Sequence, residues 1–67
     1  MTHEDYKAAR AELGYNVQGW IEKLGISMDT HKSYNSGRKE VMQPVVNHIN
    51  TLLSLNKIQK SVLETLK

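Results

Sequence analysis

The 67-residue chain has no cysteine, so neither a disulfide nor a thiolate metal site can brace it. A chain this short buries only a modest fraction of its unfolded surface, and with those staples missing, oligomerisation becomes the expected supplement. No apolar run approaches the roughly 20 residues that span a bilayer. The opening residues, Met1-Thr2-His3-Glu4-Asp5, carry neither the basic region nor the apolar stretch of a secretion signal. A soluble cytoplasmic protein without a membrane partner is the expectation. Strand-like alternation, internal repeats and low-complexity segments are all missing from the sequence.

Catalytic and metal-binding constellations are also lacking. The three histidines, His3, His31 and His48, stand far apart, and none has a second ligand three or four residues away. Asp29, His31 and Ser33 supply the residue types of a nucleophilic relay, but on one helix His31 projects about 200° from Asp29. The chain is therefore read as a non-enzyme with no cofactor and no small-molecule substrate.

Charge is small in sum and uneven in placement. The formal net charge is +2, with residues 1–26 at −1 and residues 27–67 at +3. Positive potential gathers downstream of Ser27.

What is present is helical. Thr2 and Asp5 have the spacing of a capping box, Tyr6, Ala9 and Leu13 follow on one face, and Gly14 supplies a stop. Asn16 is a good N-cap for a second helix whose apolar stripe is Val17, Trp20, Ile21 and Leu24, ending at Gly25. Gly19 inside it costs about 1 kcal/mol against alanine and reads as making room for Trp20. Ser27 can cap a third segment, Met28 to Asn35, which the Ser36-Gly37 pair ends. Pro44, the only proline, stands where a first helical turn tolerates a missing N–H. Val45, Val46, Ile49, Leu52 and Leu53 then share one side of a fourth helix, whereas Leu55, Ile58, Val62 and Leu66 share another. Either the helix breaks and Asn56 caps a fifth, or one continuous helix turns its second half towards a partner. The fold class is all-α, with four to five short helices in a single domain spanning residues 1–67.

The order of segments around Gly25 carries the functional reading. A helix ending Trp20-Ile21-Glu22-Lys23-Leu24, a turn Gly25-Ile26-Ser27 and a short polar helix form the pattern of a helix-turn-helix. Gly25 permits the positive φ of a steep, short turn, Ile26 plugs the angle, and Ser27 caps the next helix while aiming its N-terminus outward, where phosphate is attracted. Tyr34 should fold onto the core beside Thr30 or His31. Met28, Asp29, Lys32 and Ser33 should form the outer face that enters a major groove. There Lys32 can donate to guanine, Ser33 can bond several base edges, Asp29 can accept from cytosine or else cap the helix, and Met28 either touches a thymine methyl or fills a partly buried gap.

Leu24, Gly25-Ile26-Ser27, Tyr34 and Gly37-Arg38-Lys39 resemble the Cro/C1-type (XRE) helix-turn-helix family, over about residues 3–54. Within it, the run from Gly25 to Lys39 is most similar to the short phage anti-CRISPR-associated (Aca) transcriptional repressors. The resemblance implies a lambda repressor-like DNA-binding domain that acts as a homodimer on an inverted repeat in double-stranded DNA. It further implies repression of a phage anti-CRISPR operon that includes the chain's own gene, on the nucleoid of a bacterial host. It places Asn16, Gln18, Arg38 and Lys39 on the phosphate backbone, with Ser27 and Ser36 at the same surface. Two residues depart from the family pattern: Ile21 stands where a small alanine is usual, and His31 where valine or isoleucine is usual. Residues 55–67, through Leu55, Ile58, Val62 and Leu66, are the expected dimerisation helix. The alternative is a helical interaction module, antitoxin-like or adaptor, that offers this face to a different protein.

Overall fold

The computed structural model describes residues 1–66, and within them the chain forms four α-helices and no strand: α1 His3–Leu13, α2 Val17–Leu24, α3 Met28–Ser36 and α4 Gln43–Leu66. Local chemistry sets the ends of the first three. Asp5 N donates to Thr2 Oγ1 at 3.1 Å and Thr2 N to Asp5 Oδ2 at 3.2 Å, so the capping box closes in both directions. These bonds to Thr2, the backbone one first, favour the charged form of Asp5 and hold its carboxyl below the usual range. At the other end of α1, Tyr15 N reaches back to Arg10 O at 3.3 Å, the six-to-one bond of a Schellman stop. Asn16 caps α2 by accepting from Gly19 N at 2.7 Å, and Ile26 N closes its end on Ile21 O at 3.1 Å.

The core is aromatic. Tyr6, Trp20, Tyr34 and Ile49 are fully buried, and Ala9 is nearly so. Tyr6 sits at the centre with its ring 5.7 Å from Trp20 and 5.6 Å from Tyr34, both edge to face, the arrangement that ring quadrupoles prefer. Leu13, Leu24, Ile26, Val41, Val45 and Leu53 close the margin. α1 lies against both α3 and α4, and α2 rests on α4.

Gly19 does not make room for Trp20. A Cβ there would stand 3.1 Å from Asn16 Oδ1 and 3.4 Å from the Tyr15 ring, so the missing side chain clears the cap and the ring of Tyr15, which in turn lies 5.7 Å from Trp20.

The open choice about the fourth helix resolves as a continuous helix, which is long rather than short. α4 runs for 24 residues, about 36 Å at 1.5 Å per residue. Pro44 is its second residue, and Met42 O accepts from both Val45 N and Val46 N. Val46 and Ile49 are buried, and Val45, Leu52 and Leu53 half-buried. Beyond Leu53 every described residue except Asn56 is exposed, and the molecule measures 42 × 21 × 18 Å because this part of α4 leaves the body. Residues 55–66 are thus the second half of α4, not a helix of their own; Lys67 lies outside the described residues. No described helix is long and apolar enough to cross a membrane.

Candidate nucleic-acid interface

α2 and α3 meet through the three residues Gly25-Ile26-Ser27. Gly25 takes φ +69°, a region costly to any residue with a Cβ, and the reversal it allows turns Ile26 against the core. Ser27 caps α3 by accepting from Thr30 N at 3.1 Å while its hydroxyl donates to Thr30 Oγ1 at 2.9 Å. Asp29 is exposed and takes no part in that cap.

The outward face of α3 is Met28, Asp29, Lys32 and Ser36, with half-buried Asn35 among them. Met28 is 39 % exposed, so part of its side chain reaches solvent on this face. Asn35 escaped the sequence reading, although its spacing of seven from Met28 and three from Lys32 puts it on the same stripe.

Ser33 corrects the expectation that placed it on this face. It is only 8 % exposed, and its Oγ accepts from Arg38 Nη2 at 2.7 Å. The cause lies one residue on: Tyr34 is anchored in the core, and the position before it follows the helix round towards the body. Arg38, exposed, is thereby tied to the end of α3. Its backbone N donates to Ser36 Oγ at 3.4 Å, Ser36 Oγ donates to Ser33 O at 3.3 Å, and Lys39 N also donates to Ser33 O at 3.3 Å. At Gly37, φ is +79° and an added Cβ would meet His3 Nδ1 at 2.7 Å, so α1 leans directly on this turn.

Asn16 and Gln18 are both exposed at the start of α2. The Asn16 carbonyl is committed to its cap, leaving its NH2 group outward, and Gln18 Nε2 donates to Glu22 Oε1 at 3.0 Å. Lys32, Arg38 and Lys39 are cations of this surface, and Asp29, Glu40 and the Glu22 that Gln18 bonds are anions, all exposed.

On its inner side α3 docks through a polar contact. His31 is buried, and its Nδ1 lies 2.7 Å from Tyr6 Oη. Burial, with the Arg10 cation adding to it, holds the His31 pKa below the usual imidazole value, and burial raises that of Tyr6. Both rings are therefore neutral near pH 7, and the direction of the bond between them follows the imidazole tautomer. Asp29, His31 and Ser33 do not converge, since Asp29 faces solvent while the other two are buried.

The expected dimerisation residues form the second exposed feature. Leu55, Ile58 and Val62 are 51–60 % exposed and Leu66 is 78 % exposed, joined by Leu63, which sequence reasoning left out. They lie on the part of α4 that has left the body.

Set against protein-family models, curated proteins and solved structures, the chain has no significant match.

Proposed function

We propose that the chain is a sequence-specific DNA-binding transcriptional repressor that works as a homodimer on an inverted repeat. The observation that carries this reading is the outward stripe of α3, Met28, Asp29, Lys32 and Asn35, presented by a three-residue turn from α2 and flanked by Arg38 and Lys39. A polar helix face of this width, backed by an apolar interior, suits the major groove. Lys32 and Asn35 supply hydrogen bonds to base edges, with Met28 and Asp29 beside them. Arg38, Lys39, Asn16 and Gln18 supply phosphate contacts that set register without reading sequence. Ser33 is not among the base-reading residues. Ser27 and Ser36 use their hydroxyls in capping, so any contact they make to the duplex runs through backbone or a second lone pair.

A homodimer is supported by the apolar second half of α4. Two copies would carry two α3 helices, to be matched to half-sites about 34 Å apart, one turn of duplex. The placement of that duplex in an operon containing the chain's own gene, and of the operon in an anti-CRISPR phage region, follows from the family resemblance alone.

Selection of bound fragments from a random duplex pool is the decisive test. A palindromic consensus is the expected result, with log affinity falling against log salt by roughly 0.9 for each phosphate neutralised. Equal affinity for the selected duplex and a scrambled one would sink sequence readout. The exposed Leu55, Ile58, Val62 and Leu66 face also favours a second reading, an antitoxin-like or adaptor module that binds a different protein. Sedimentation separates the two: a stable dimer of the pure chain supports the repressor, and a monomer that associates only with another protein supports the module.

A further inference from the structure

We infer that Ser33 is a positioning residue for Arg38, holding its guanidinium in place for a duplex phosphate; this rests on the DNA-binding reading above. Three observations converge on the turn after α3. Ser33 is a buried residue, and its Oγ is 2.7 Å from Arg38 Nη2 in a part-buried, charge-assisted hydrogen bond at the short end of its range. The Ser33 carbonyl holds the same turn through Lys39 N, and Ser36 Oγ holds Arg38 N. His3 closes on Gly37 from the side of α1. The backbone that carries Arg38 is therefore tied to α3 and backed by α1, and its side chain is tied to α3 as well.

A guanidinium has five N–H donors in one plane. Ser33 occupies one, on the Nη2 nitrogen, and Arg38 as a whole is exposed, so the remaining donors stay open to an oxyanion. An arginine on a free loop must be ordered when it binds, and that ordering weakens association. An arginine already held by a hydrogen bond to its own fold avoids part of that loss. Ser33 thus contributes to affinity without touching the duplex and without contributing a charge.

The test is a double-variant cycle, read by fluorescence anisotropy on the duplex recovered by selection and on an unrelated duplex of equal length. Ser33→Ala should weaken both complexes by a similar factor, roughly 2- to 10-fold, and leave the salt slope as in the parent. Arg38→Ala should lower the slope by about 0.9. In the Arg38→Ala background, Ser33→Ala should have no further effect, and Ser33→Thr, which keeps the hydroxyl, should behave as the parent. Loss of affinity from Ser33→Ala that persists without Arg38, or that falls on the selected duplex alone, overturns the proposal.

Arginine side-chain NMR of the free parent chain supplies a readout independent of any variant's folding. The Arg38 Nη protons should give separate resonances rather than one averaged signal. Averaged signals alongside intact duplex binding would overturn positioning while leaving the DNA reading intact. Separate signals with binding to neither duplex would overturn the DNA reading, and the proposal with it.

Discussion

The first three helices and the second half of α4 are built on opposite terms. α1, α2 and α3 are short, each begins with a side-chain cap and ends on a glycine, and each drives at least one aromatic ring or imidazole into a shared interior. In the second half of α4 the described residues are exposed apart from half-buried Asn56; its apolar side chains face water and its helical form is carried over from the half that packs. An isolated helix of under about 12–15 residues is marginal in water. Stability in this molecule is thus concentrated in the region around Tyr6, whereas the outer part of α4 gains its stability only from what covers it.

That contrast can be broken at several points. Trp20→Ala removes a fully buried ring and should cost about 3–5 kcal/mol, enough to leave a chain of this size largely unfolded in urea denaturation followed by circular dichroism. Gly25→Ala puts a Cβ at φ +69° and should cost about 1–2 kcal/mol, seen as a thermal midpoint lower by several degrees. The pH dependence should be gentler and should trace to His31. Its folded pKa lies below the unfolded value of 6.5, so the unfolded chain binds more protons as acidity rises. The stability from the neutral, buried ring is fully present above pH 6.5 and declines as pH falls below it. Denaturation curves at pH 7.5 and 5.5 should diverge in the parent and converge in His31→Leu.

Ile58→Asp should have the smallest effect on the isolated chain, within about 0.5 kcal/mol in dilute thermal melts, since the side chain is 60 % exposed. Its effect on association should be large. The parent's melting midpoint should rise with protein concentration, as for any folded state stabilised by self-association, and the variant's should not. A midpoint independent of concentration in the parent would remove the homodimer from the proposed function and leave the contrast between the two regions intact.

How much of this was legible in the sequence depends on whether the governing interaction is local. Thr2 with Asp5, Asn16, Ser27 and the glycines at 14, 25 and 37 act within a few residues of themselves, and each helix boundary they imply agrees with the structure to within a residue or so. α3 was harder to orient. It is nine residues long with Tyr34 as its one clear core anchor, so a small error in rotation moved Ser33 from inside to outside and hid Asn35. The Tyr6–His31 bond joins residues 25 apart, and the Ser33–Arg38 bond crosses a turn. Neither leaves a periodic trace. The continuity of α4 was undecidable for a related reason: a change of apolar side at Ser54 to Asn56 looks the same whether the backbone stops or carries on.

Because α4 has no hinge, its two halves are phased like teeth cut on one shaft. The residues that seat the shaft in the body, Val46 and Ile49, and those that project from its far end, Ile58 and Val62, keep a fixed angular offset through unbroken helix. Inserting one residue near Ser54 would rotate the outer teeth by about 100° and advance them by about 1.5 Å. The reach and heading of α3 relative to anything gripping the shaft are therefore set by residue count, and length changes in this short segment would be felt at the other end of the molecule.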